Sequence, residues 1–116
     1  MILVKPDDVV EEKGEGYHGG SGSFSRRTLF QNIEGSEFKY VRDIIIPVGS
    51  IIGTHEHLDD EEVFYIISGN GTITVDGETR KIGPGSVVLT LPGSSHRIEN
   101  NGETELRFFA ACVRNV

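Results

Sequence analysis

The sequence predicts an all-β domain, a small antiparallel barrel or jelly roll, on three observations. Fifteen glycines in 116 residues, with Pro, Asn and Asp beside them, cut the chain into short segments. β-Branched and aromatic residues fill those segments, in runs such as Tyr40-Val-Arg-Asp-Ile-Ile-Ile46 and Val63-Phe-Tyr-Ile-Ile67. Nothing between Ser36 and Val116 sustains a 3.6-residue apolar period. Many short strands without helices bury their apolar faces and limit open edges by closing on themselves or stacking in two sheets.

Taken in order, Lys5-Pro6-Asp7-Asp8-Val9-Val10 predicts one short helical turn, with proline early and acids near its start. Gly14–Ser23 carries five glycines around Tyr17 and His18 and reads as an irregular arm. Strands are predicted over Phe24–Phe30, Glu37–Ile46, Glu62–Ser68, Gly71–Val75, Ser86–Leu91, His96–Glu99 and Glu105–Val113. Asp76-Gly77 is a two-residue hairpin signal and Asn100-Asn101-Gly102 a second turn. On this reading residues 1–36 are an arm that packs on the barrel or on a partner subunit, and residues 37–116 are the barrel. Phe108, Ala110 and Cys112 share one strand face and are expected in the core.

Composition excludes several roles. A chain of this size buries roughly 65% of the surface it exposes when unfolded, enough for one packed core. The formal charge of −7 argues against nucleic acid and anionic membrane, which both select clustered Lys and Arg. Met1–Val4 is too short for a signal peptide or a membrane span. The single cysteine, Cys112, cannot form an internal disulfide and fits a reducing, cytoplasmic setting.

Chemistry concentrates in three of the four histidines. His55 and His57 are two residues apart, a spacing that puts both on one face of a strand. Glu62 follows, and His96 opens a later strand. Taking Glu62 as inward places Phe64, Ile66 and Ser68 inward as well; taking His96 as inward adds Ile98 and Asn100. The interior is then apolar with polar groups at one mouth, as a small-molecule site requires. Three imidazoles and a carboxylate suit a divalent transition metal: Mn, Fe, Co, Ni, Cu or Zn. Each residue alone has a plainer reading. His-x-His can be an exposed pair, Glu62 the end of the solvated acidic run Asp59–Glu62, and His96 a turn residue bonded to backbone.

The spacings nonetheless resemble those of the cupin superfamily, in particular its small single-domain members. The first cupin motif reads here as Gly49, five residues, His55-x-His57, four residues, Glu62, six residues, Gly69. The second reads Gly85, Gly93, two residues, His96, three residues, Asn100, with Leu91 at the usual proline position and Pro92 following it. The resemblance implies a double-stranded β-helix (jelly-roll) barrel holding one metal ion, Mn, Fe, Ni, Co or Zn, through His55, His57, Glu62 and His96. It also implies a small-molecule substrate or ligand and a homodimer in which the N-terminal arm crosses between subunits.

The remaining candidates are weaker. His18 in its glycine-rich segment can be a lid histidine active in acid–base catalysis or a plain exposed loop residue. Tyr40 is a second proton carrier. Arg42, with Arg26 and Arg27, can clamp a carboxylate or sit on the surface. The expected function is metal-dependent catalysis on a small oxygen-rich molecule, a carboxylate or sugar acid, with the metal as Lewis acid. Oxalate-decarboxylase chemistry is one candidate, although Ile52 stands where those enzymes carry an arginine. An Fe(II) dioxygenase, an isomerase and a non-catalytic metal-dependent binding protein are the alternatives.

Overall fold

Alternating apolar residues and glycine-centred turns do build a two-sheet barrel. The computed structural model describes residues 1–114. Among them run β1 (Glu11–Glu15), β2 (Ser23–Gln31), β3 (Phe38–Ile46), β4 (Ile51–Glu56), β5 (Asp60–Ser68), β6 (Gly71–Val75), β7 (Glu78–Ile82), β8 (Val87–Thr90), β9 (Ser95–Glu99) and β10 (Leu106–Arg114). One sheet has the order β1-β2-β3-β10-β5-β8 and the other β4-β9-β6-β7, with every pairing antiparallel. The chain is therefore all-β, with 3₁₀ turns only at Pro6–Asp8 and Tyr17–Gly19 among the described residues.

Side-chain parity makes the core. Ile44 and Ile46 on β3, Phe64 and Ile66 on β5, and Phe108 and Ala110 on β10 project inward from the first sheet. Ile52, Ile73 and Ile98 meet them from the second. Each such isoleucine or phenylalanine contributes about 1.5–3 kcal/mol on burial. Asn100 closes the end remote from the histidines: its side-chain amide donates to the Ile46 and Thr104 carbonyls at 2.9 Å, and its Oδ1 accepts from the Gly102 amide at 3.1 Å.

The seven predicted strands are all present, with ends moved by two residues or fewer. Three more form that the pattern did not announce. β1 and β7 are polar edge strands (Glu-Glu-Lys-Gly-Glu and Glu-Thr-Arg-Lys-Ile) lacking apolar alternation. Such strands lie at sheet edges, where charge opposes further pairing. β4 is interrupted by Gly53, and its pairing with β9 shifts between Ile52 and His55. Ser68, expected inward, is exposed at the end of β5. Within residues 1–36, β1 pairs with β2 and β2 with β3, so the six-stranded sheet continues into this part of the chain.

Turns follow their residues. Asp76 and Gly77 both have positive φ (48° and 82°), the combination of a type I′ hairpin, and join β6 to β7. At Leu91-Pro92-Gly93-Ser94 the Ser94 amide donates to the Leu91 carbonyl at 3.1 Å, and Gly93 has φ 87°. Proline second and a positive-φ glycine third are what a type II turn demands. Pro92 thus supplies the turn that leads into His96, although it stands one place later than in the usual motif.

Candidate metal centre

β4 and β9 set two imidazoles opposite each other, edge to face with ring centroids 4.4 Å apart. A bulge at Gly53-Thr54 opposes two residues to Arg97 alone, so that Ile52 pairs with Ile98 while His55 pairs with His96. Without it, Thr54 would take the inward place. His57 lies just past the end of β4, and is held there by the 91–94 turn: its amide donates to the Ser94 carbonyl (2.9 Å) and its carbonyl accepts from the Gly93 amide (2.5 Å). Glu62 enters from β5 in the opposite sheet.

Donor atoms of His55, His57, Glu62 and His96 all lie within 4.8 Å of one another. His96 Nε2 is 2.9 Å from His55 Nε2 and 3.1 Å from His57 Nε2, and Glu62 Oε1 is 3.2 Å from the Nε2 atoms of His57 and His96. The other ring nitrogens point away from this meeting point. His55 Nδ1 lies 2.9 Å from the Gly53 carbonyl, His57 Nδ1 2.6 Å from Asp60 Oδ1, and His96 Nδ1 2.8 Å from the Thr90 hydroxyl. A carbonyl and a carboxylate only accept, so His55 and His57 donate through Nδ1 and turn Nε2 toward the centre. The Thr90 hydroxyl can accept from His96 in the same way. Three imidazole Nε2 atoms and a carboxylate packed this closely require a proton or a cation among them.

Electrostatics agree. Burial works to raise the Glu62 carboxyl, but hydrogen bonds from His57, His96 and Tyr40 outweigh it and keep Glu62 ionised well below the usual range. The Cys112 sulfur and the Glu62 carboxylate hold the His57 imidazolium up to about 10. Burial lowers His55 to about 4, against its bond to the Gly53 carbonyl. One proton on His57 therefore stands where a cation can stand. The N₃O donor set, with each second nitrogen engaged, suits a divalent transition metal.

The other sequence candidates line the mouth. The Tyr40 hydroxyl donates a very short hydrogen bond to Glu62 Oε2, and burial together with the Glu62 charge pushes its pKa far above the ordinary range. The Arg42 guanidinium lies 3.7 Å from the Tyr40 ring centroid and reaches the Tyr17 hydroxyl at 3.4 Å. Arg26 also donates to Tyr17 (3.1 Å) and pairs with Glu12 (3.0 Å). Arg27 is directed away and meets Asp43 at 3.5 Å. His18 stacks on His55 with ring centroids 3.8 Å apart, in a left-handed conformation (φ 51°). Its imidazole is lowered mainly by burial.

Three partners escaped the sequence reading. Tyr17 bridges the two arginines and Thr90 supports His96, neither with a local sequence signal. Asp60, counted with the solvated acids, is 6% exposed and bonded to His57; the spacing His57-x-x-Asp60 was its only trace.

The family model for the cupin domain matches residues 42–112. This chain is a member of the cupin family. Across 107 residues it is 33% identical to an uncharacterised protein of Methanocaldococcus jannaschii, covering 92% of this chain and 86% of that one. It is 29% identical over 113 residues to an oxalate-binding protein of Thermotoga maritima, covering 97% and 93% respectively. The crystal structure of a predicted oxalate decarboxylase from Thermotoga maritima superposes on this cupin with a TM-score of 0.91 at 29% identity, over 97% of this chain and 99% of that one. Among the described residues, no helix is long and apolar enough to cross a membrane.

Proposed function

We propose that this cupin is a mononuclear metal enzyme acting on a small carboxylate of about oxalate's size, with His55, His57, Glu62 and His96 as the protein ligands. The observation that carries the reading is the clustering of three imidazoles and the Glu62 carboxylate with donor atoms all within 4.8 Å of one another, the Nε2 atoms of His57 and His96 both 3.2 Å from one Glu62 oxygen. When bound, a divalent metal supplies Lewis-acid stabilisation of developing negative charge. The family and the oxalate-binding relative support a small anionic ligand.

The chain's own residues fit that ligand class. A chamber of ≈ 20 Å³ beside the cluster is walled by Tyr17, His18, Tyr40 and Arg42. It adjoins an open cavity of ≈ 510 Å³ whose rim carries Arg26, Lys39 and Arg42. So narrow a chamber admits little more than a water-sized group, so most of a ligand would lie in the open cavity. Glu56 and Asp60 share its rim, Arg26 and Lys39 are paired with Glu12 and Asp60, and Arg42 has no carboxylate partner among the described residues. Arg42 orients a carboxylate through its guanidinium. Tyr40 keeps its proton and holds Glu62 through it, and His18, lowered by burial, can accept a proton near neutral pH.

A second reading, metal-dependent binding without turnover, is favoured by the oxalate-binding relative. Protein loaded in turn with Mn, Fe, Co, Ni and Zn, titrated calorimetrically with oxalate and longer dicarboxylates and followed by product analysis, separates the two. Product formation lost in Arg42→Ala supports the enzyme; saturable oxalate binding without product with every metal establishes the second reading; no binding of either metal or dicarboxylate overturns both.

We further propose a homodimer, in the cytoplasm. The outer face of the six-stranded sheet carries two cross-strand rows, Val41–Ala111–Val63–Leu89 and Asp43–Phe109–Tyr65–Val87. Tyr65, Val87 and Leu89 in these rows are exposed, an apolar face of the kind found at subunit contacts. The free, buried Cys112 supports a reducing compartment.

A further inference from the structure

We infer that Asp60 and Lys39 are a positioning pair that fixes the ring of His57 and strengthens it as a donor. The purpose of the pair rests on the metal-centre reading above; its geometry does not. Asp60 is the first residue of β5 and lies three positions beyond His57. Its Oδ1 accepts from His57 Nδ1 at 2.6 Å, and its Oδ2 accepts from Lys39 Nζ, on β3, at 2.5 Å. Both oxygens are thus engaged, and the carboxylate cannot rotate without losing both partners. The main chain of His57 is tied to Gly93 and Ser94, so ring and backbone are anchored independently.

The three imidazoles differ in what stands behind them. His55 has a carbonyl and His96 a hydroxyl, both neutral; His57 alone has a carboxylate. A carboxylate on the second nitrogen selects the ring tautomer and raises the basicity of the ligating nitrogen. Lys39 anchors that carboxylate from the solvent side. The pair therefore makes His57 the best fixed and most basic of the three.

The same neighbourhood offers a rival. Cys112 joins His57 and Asp60 in a buried group whose donor atoms lie within 4.8 Å, so the far side of His57 could hold a cation of its own. That would need the Nδ1 lone pair, which the 2.6 Å bond to Asp60 leaves protonated.

The test compares wild type with Asp60→Ala, Asp60→Asn, Lys39→Met, Lys39→Arg and Cys112→Ser. Zn²⁺ affinity and stoichiometry come from chelator competition, and the His57 Nδ1 proton from NMR of metal-free, ¹⁵N-histidine-labelled protein. Asp60→Ala should weaken Zn²⁺ on the order of 10- to 100-fold and expose the Nδ1 proton to rapid exchange. Asp60→Asn, which keeps an acceptor without charge, should fall between, and should fold if the alanine variant does not. Lys39→Arg should restore what Lys39→Met loses. Unchanged affinity and a protected Nδ1 proton in folded Asp60→Ala overturn the inference, as does a second Zn²⁺ equivalent that vanishes in Cys112→Ser. If wild type binds no Zn²⁺, the metal-centre reading falls, and the Nδ1 proton alone decides whether Asp60 positions the ring.

Discussion

The carbonyl oxygen of His18 occupies the space that a β carbon on Gly53 would fill. That close approach seats the glycine-rich arm in the bulge of β4 and lays the His18 ring on His55. Gly53→Ala should push the arm away, because the obstacle is backbone and cannot rotate aside. The expected cost is about 1–3 kcal/mol, read as a lower Tm, with loss of the His18–His55 stacking shift by NMR. His18→Gly should behave differently. It removes the ring but relieves a left-handed φ that costs roughly 1 kcal/mol, so Tm should stay near that of wild type while the stacking shift on His55 is lost.

Metal loading should raise Tm, by about 2.7 kcal/mol of stability at a hundredfold excess over Kd, and chelation should reverse the gain. His55→Ala and His96→Ala should both abolish it. His55→Ala is the cleaner variant: His55 is only partly buried, whereas His96 is 1% exposed, packs on Phe64 and leaves a cavity when truncated. Elemental analysis of the three proteins checks the loss directly.

The charge of the site predicts a pH optimum for the metal-free protein. His57 is held up to about 10, above its unfolded value near 6.5, so its stabilisation is complete below pH 6.5 and disappears as pH rises through about 10. His55, lowered to about 4, acts on the other flank: as pH falls from 6.5 through 4 the unfolded chain takes up that proton first, and stability drops. Glu62, held below its ordinary value, adds a further loss in acid. Urea melts should peak near pH 6.5. Zn²⁺ affinity should move oppositely on the alkaline side, strengthening as pH rises, because a ligating His57 must release its proton.

Tyr40→Phe tests the bond to Glu62. Removing a hydroxyl that donates to a buried carboxylate should cost about 1.5–3 kcal/mol at neutral pH. The acid limb of the stability profile should also move to higher pH, since Glu62 loses one of the groups holding its pKa down. Urea melts of wild type and variant between pH 3 and 7 measure both effects.

Leu89→Glu places a charge at the exposed end of an apolar row without touching the core. If that face is the dimer contact, light scattering should give a monomeric mass for the variant and a dimeric one for wild type, with Tm of the monomer lowered.

Much of the site was legible because spacing and strand parity are local properties. Glu62, Phe64 and Ile66 share the inward face, as alternation requires, and so do His96 and Ile98. Ser68 breaks the rule because the β5–β10 pairing shifts between Ile66 and Ser68, leaving Ile67 over and setting Ser68 opposite the outward-facing Arg107. What could not be read depends on partners far away in sequence. Asp60 looks like its acidic neighbours until Lys39 and His57 are brought to it across strand pairings that no short window contains. Tyr17 becomes the shared acceptor of Arg26 and Arg42 only once β2 and β3 are in register. The bulge in β4 left only Gly53 as a trace, and a glycine alone does not say which residue after it will face inward.

The two sheets meet through packed side chains; the strand ladders do not run from one into the other. His55 and His96 stand on one sheet and Glu62 on the other. A cation gripped by all four ligands is therefore a rivet through both walls of the barrel, closing a loop of 41 positions between His55 and His96 alone. Like a disulfide, it would subtract entropy from the unfolded chain rather than add contact to the folded one. Peeling the sheets apart one at a time, a motion open to the empty protein, would require breaking the rivet first, so loading would convert piecemeal opening into a single event.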